Sequence, residues 1–115
     1  MKFTDILKDI ASEGKEKHVP SIDTFPAHGS EKADLVRVIV GKETPHPNTV
    51  EHHIAWVELF GVKTDGVVIN LGRAGFAPSF TEPTVSFHTS LDQFKAFCAL
   101  SYCNIHGVWE SCLEV

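Results

Sequence analysis

Cysteine is scarce in this 115-residue chain: there are three, Cys98, Cys103 and Cys112, and none before residue 98. An odd number without a repeated spacing argues against a disulfide framework and for thiols, at least one of them free to bind metal. Methionine is scarcer still, since Met1 stands alone. No apolar run approaches the roughly 20 residues that a membrane-spanning helix needs, which excludes a helical membrane anchor. Basic residues are outnumbered, ten Lys and Arg against fifteen Asp and Glu, for a net charge of -5. They form no cluster that could track phosphates, so general nucleic-acid binding is excluded as well. The first ten residues lack the continuous apolar core and small-residue cleavage site of a secretory leader, so the expected location is the cytoplasm.

What is present is the composition of a globular protein, 43% apolar and 22% charged, in a length suited to one domain spanning residues 1–115. Phe3, Ile6, Leu7 and Ile10 fall at i, i+3, i+4 and i+7 and predict a short amphipathic N-terminal helix, docked on the domain or on a partner subunit. Beyond it the chain is strand-rich. Apolar or alternating runs predict strands at 34–40, 53–60, 66–71, 85–88, 94–102 and 108–115, with turn residues between them. Short strands at this spacing imply an all-β sandwich or barrel. Gly72, Gly75, Pro78 and Pro83 interrupt the pattern, so residues 72–83 read as an exposed loop or a subunit-contact extension.

The chemistry-bearing residues gather in three segments. Ser101-Tyr102-Cys103-Asn104-Ile105-His106-Gly107 sets a thiol and an imidazole three residues apart in a tight connection. Taken alone, Cys103-x-x-His106 is a weak metal signal, because buried cysteines and capping histidines are common. Upstream, Glu16-Lys17-His18-Val19-Pro20 and Pro45-His46-Pro47-Asn48-Thr49, continuing into Glu51-His52-His53, supply more imidazoles from loops. In an extended segment successive side chains point to opposite faces, so only one of His52 and His53 can reach a common point. Four imidazoles and one thiolate exceed the four ligands that close a structural zinc site.

These three segments closely resemble those of the superoxide reductases, the non-haem iron proteins also called neelaredoxins and, in a longer form, desulfoferrodoxins. The order and separation of the motifs fit that family over nearly the whole chain. The resemblance implies an immunoglobulin-like seven-stranded β-barrel or sandwich with one iron per chain. It implies iron ligation by His18, His46, His52 and His106 in one plane and by Cys103 at an axial position, leaving the opposite position open. Glu16 is then a sixth ligand to ferric iron, and Lys17 a positive charge beside the open position. His53 is left to a supporting or surface role, and His28 and His88 to solvent. Cys98 and Cys112, on predicted strands, are read as small core residues. The absence of cysteine before residue 98 matches the short, single-iron form rather than the longer one with an extra four-cysteine site.

The reaction so implied is one-electron reduction of superoxide to hydrogen peroxide, with a thiolate pushing electron density onto iron. An acidic protein needs a local positive field to attract this anion, and Lys17 provides it. The electron must come from outside, in the family commonly from rubredoxin, and a homotetramer is the family expectation. Two rivals fit less well. A blue-copper carrier lacks its axial thioether when Met1 is the only methionine, and a metal-free immunoglobulin-type module leaves His18, His46 and His52 without a purpose.

Overall fold

A computed structural model describes residues 1–14 and 17–115. Seven strands follow one another: β1 Pro20–Phe25, β2 Leu35–Val40, β3 Ile54–Lys63, β4 Val68–Gly75, β5 Thr84–His88, β6 Phe94–Cys103 and β7 Gly107–Glu114. They form two sheets, ordered β1-β2-β5 and β4-β3-β6-β7. All pairings are antiparallel. The expected all-β fold is therefore a sandwich, and neither sheet closes into a barrel.

Alternation along the strands decides what faces inward. Val36, Val38 and Val40 of β2 turn to the core, where they join Val57 and Leu59 of β3 and Phe97 and Ala99 of β6. Two register shifts in the β3–β6 ladder, at Ile54/Trp56 and Val62/Lys63, reset that alternation. Phe94 and Phe97, three residues apart, can then both be buried. From Phe97 onward the count is regular, so Ala99, Ser101 and Cys103 all point inward.

The same count corrects the reading of Cys98. It lies an odd number of residues from Cys103, so it faces outward, directly opposite Cys112 of β7, and the two form a disulfide. The thiols expected at these positions are thus bonded to each other, and neither is a core residue; Cys103 is the free cysteine, fully buried. The bond closes a segment with a sequence separation of 14. Chain-entropy arguments for such a loop give about 3 kcal/mol. Reduction of Cys98–Cys112 is expected to lower unfolding stability by up to that amount while leaving the sheet intact, which denaturant titration of reduced and oxidised protein will measure.

The expected short N-terminal helix is present and ends early. Only Phe3–Ile6 is helical, followed by a 3-10 turn at Ile10–Ser12. Phe3, Ile6 and Ile10 are exposed, so none of the described residues covers the apolar stripe that a longer helix would need. The segment lies instead along the free edge of β7. Lys8 donates its N–H to the Val108 carbonyl at 3.2 Å and accepts from Glu110 N–H at 2.7 Å.

Strand β4 runs through Gly72 to Gly75, where a loop was expected. Gly72 sits at the register shift opposite Leu59/Phe60, with φ 149°, and a Cβ there would come within 2.8 Å of the Phe87 ring. The glycine lets β5 pack closely and does not break the strand. Residues 76–83 form the actual loop, and it braces the site: Asn48 donates to the Thr81 carbonyl at 3.2 Å and accepts from Ser79 N–H at 2.9 Å.

Candidate metal centre

The ligand-bearing segments meet at one end of the sandwich. His18 immediately precedes β1, His46 and His52 lie in the connection from β2 to β3, Cys103 ends β6, and His106 sits in the three-residue turn before β7. That turn closes with Gly107 at φ 88°, left-handed backbone that suits glycine. One ligand atom from each of His18, His46, His52 and Cys103 lies within 4.8 Å of the others. His18 and His46 are buried, as is Cys103.

The four imidazoles form a closed cycle. Neighbouring ring centroids are 4.8 Å apart for His18–His46, 4.7 Å for His46–His52, 5.1 Å for His52–His106 and 4.9 Å for His18–His106. Neighbouring planes are tilted by 65° to 82°, so ring edges face one another around a centre. His106 Nδ1 lies 3.2 Å from His18 Nε2 and 3.7 Å from Cys103 Sγ. Metal–ligand bonds of about 2.0–2.3 Å place opposite ligands roughly 4–4.6 Å apart, so the spread of this cluster fits one first-row ion. A thiolate with imidazoles is a donor set that suits iron, copper or zinc rather than magnesium or calcium.

Hydrogen bonds behind the rings set their orientation. Nδ1 of His46 is 2.7 Å from the Pro47 carbonyl; as a donor there it leaves Nε2 as the ligating atom. His18 stacks on Trp109 at 4.5 Å and 12°, and its carbonyl accepts from Ser101 Oγ at 2.7 Å. Its backbone N–H donates to the Glu13 carboxylate, as does that of Val19. Thr49 Oγ1 accepts from His52 N–H at 3.0 Å. Asn104 ties two segments together: it donates to the Glu51 carbonyl at 2.9 Å and accepts from His53 N–H at 2.8 Å. The His106 N–H points at Cys103 Sγ, 3.4 Å away, a contact that stabilises negative charge on sulfur.

Three of these supports were invisible in the sequence. Glu13 binds the backbone N–H groups of His18 and Val19, five and six residues on, and Ser101 the His18 carbonyl across the fold; nothing in the sequence pattern assigned them these roles. Lys8 is the third: its ammonium donates to the His106 carbonyl at 3.0 Å and lies 5.4 Å over the Trp109 ring. Asn104 had a signal, its place next to Cys103. Of the other residues singled out, His53 turns Nδ1 to the Thr49 carbonyl, and His28 and His88 are exposed away from the cluster. Lys17 is half-buried beside His18, and its ammonium donates to the Gly14 carbonyl at 3.3 Å. Glu16 lies outside the described residues.

Gly41 is essential to this geometry. Its φ is 79°, and a Cβ there would stand 2.6 Å from the His46 backbone nitrogen and 3.0 Å from the Thr44 carbonyl oxygen. Backbone cannot yield as a flexible side chain would, so Gly41→Ala is expected to displace His46 and weaken metal binding about tenfold or more. Metal titration by isothermal calorimetry checks this; parent affinity in the variant would show that His46 is not held by this turn.

The family model described as desulfoferrodoxin matches residues 10–112. A superoxide reductase of Pyrococcus abyssi is 45% identical, with 92% of this chain and 96% of that protein covered. A neelaredoxin of Megalodesulfovibrio gigas is 36% identical over 96% of this chain and 95% of its own. Among solved structures, a superoxide reductase (neelaredoxin) from Ignicoccus hospitalis superimposes with a TM-score of 0.84 at 32% identity, covering 100% and 98% of the two chains. With its ligand segments converged on one centre and these relatives matched nearly end to end, the chain belongs to the desulfoferrodoxin family of oxidoreductases, alongside the superoxide reductases and neelaredoxins.

Proposed function

We propose that the chain is a superoxide reductase holding one iron through His18, His46, His52, His106 and Cys103. The observation that carries this reading is the closed cycle of four imidazoles beside a single buried free thiol. Bound there, iron supplies one electron to superoxide, which with two protons gives hydrogen peroxide and no dioxygen.

The chain's own residues hold and bias that chemistry. Cys103, which accepts the His106 N–H, would supply electron density to the ion from one side. Ring orientation is fixed by Pro47, Trp109 and the Asn104 brace, so the donors need little rearrangement when oxidation state changes. Lys17 provides the cation that draws an anion toward a protein of net charge -5. Glu16 would supply a carboxylate that could hold the oxidised ion. The chain has no second store of electrons among these groups, so a one-electron carrier such as rubredoxin completes the cycle. Exposed Phe3, Ile6 and Ile10 support assembly with further copies, as in the homotetramer expected of short family members.

The test is stoichiometry. Reduced, iron-loaded protein mixed with superoxide under anaerobic conditions should yield one peroxide per superoxide consumed, without dioxygen from that reaction. Half a peroxide and half a dioxygen per superoxide would mark a dismutase and refute the assignment.

A further inference from the structure

We propose that Cys98 and Cys112 are a second redox centre, a dithiol that hydrogen peroxide oxidises to the disulfide at the far end of a surface groove beginning at Lys17. The sheet itself brings the two sulfurs together. Cys98 and Cys112 are register partners in the β6–β7 ladder, with Cα atoms 4.1 Å apart. Directly opposed residues of an antiparallel pair lie about 4.5–5.5 Å apart, so the ladder itself keeps the two side chains near bonding range when the link is open. The hairpin that holds them, from Ala96↔Glu114 to Cys103↔Gly107, is built by its own ladder and not by the link.

Access differs between the two sulfurs and with it their roles. Cys112 is exposed and Cys98 half-buried, so Cys112 meets a dissolved oxidant first and Cys98 resolves the product. Cys112 lines an open groove of about 320 Å³ with Ser21, Asp23, Lys42 and Glu43. A second groove of about 240 Å³ shares Ser21, Lys42 and Glu43 with the first and reaches Glu13, Lys17 and Val19, on either side of His18. The two grooves form one path from the metal centre's flank to the outer sulfur.

The chemistry balances without a further reagent. The Cys112 thiolate attacks one peroxide oxygen, the O–O bond breaks, and the departing hydroxide takes a proton to leave as water, giving a sulfenic acid. The Cys98 thiolate then attacks that sulfur and a second water leaves; two thiols have lost two electrons, and peroxide has gained them. A cellular dithiol would restore the reduced pair. Only the source of the peroxide rests on the superoxide-reductase reading.

The test starts from iron-loaded protein reduced with dithiothreitol and desalted anaerobically. One arm receives an equimolar addition of hydrogen peroxide, the other a superoxide flux with an electron donor; both are quenched with an alkylating reagent and mapped by mass spectrometry. Peroxide should remove two alkylatable thiols and return a single Cys98–Cys112 peptide. In Cys98→Ser the same addition should leave a dimedone-reactive sulfenic acid on Cys112. Reduced protein that has lost its β-sheet circular dichroism, or a pair that stays reduced with peroxide while diamide closes it, would overturn the proposal. Closure with added peroxide but not with superoxide supports the dithiol centre and places the failure in the superoxide-reductase reading.

Discussion

Cys103→Ser protein is expected to lose the thiolate-to-iron charge-transfer band of its oxidised form and, with it, turnover with superoxide, whereas Cys98→Ser and Cys112→Ser keep both. The reason is positional. Cys103 is fully buried at the end of β6, within 4.8 Å of ligand atoms from His18, His46 and His52, and accepts the His106 N–H. Cys98 and Cys112 lie on the opposite face of the same sheet. Serine at 103 offers a hard, weakly acidic oxygen that does not push electron density as a thiolate does. Visible spectra of the three oxidised variants decide it, and an intact band in Cys103→Ser would place the thiolate elsewhere.

The second large effect is expected from Lys17. Removing one positive charge beside the centre of an acidic protein should slow the second-order reaction of the reduced form with superoxide by about tenfold or more. Its dependence on ionic strength should also flatten, because screening then has less to screen. Among the described residues the Lys17 ammonium donates to the Gly14 carbonyl at 3.3 Å, a backbone contact that leaves its charge unneutralised. Glu16→Ala should leave that rate nearly unchanged and alter the spectrum of the oxidised state instead. Pulse radiolysis over a salt series measures both variants; a parent rate and slope in Lys17→Ala would remove steering from its role.

Much of the site could be read from the chain because its ligands sit in short loops whose residues stand together. His46 and His52 frame one connection, and Cys103 and His106 share one turn, so a local pattern carries the chemistry. The disulfide was hidden because its partners are set by strand parity and hairpin register. Counting three cysteines says nothing about which two face the same side, and the β7 register that aligns Cys98 with Cys112 follows from the turn at 104–106. The short N-terminal helix is present but stops at Ile6, for a different reason. Phe3, Ile6, Leu7 and Ile10 have helical spacing, but a segment this short gains stability only from packing, and the β7 edge offered hydrogen bonds to Lys8 instead. At Gly72 a residue that commonly ends strands marks a close approach of Phe87.

On the proposed reading five side chains, Cys103 among them, hold a single redox-active iron. Iron content together with the visible spectrum of anaerobically purified protein, recorded before and after stoichiometric oxidant, tests this most directly. Close to one iron per chain is expected, with little visible absorption in the reduced form and a thiolate-to-iron charge-transfer band that appears on oxidation. Stoichiometric zinc or copper in place of iron, in protein expressed with all three metals supplied, or iron that oxidises without such a band, would contradict it.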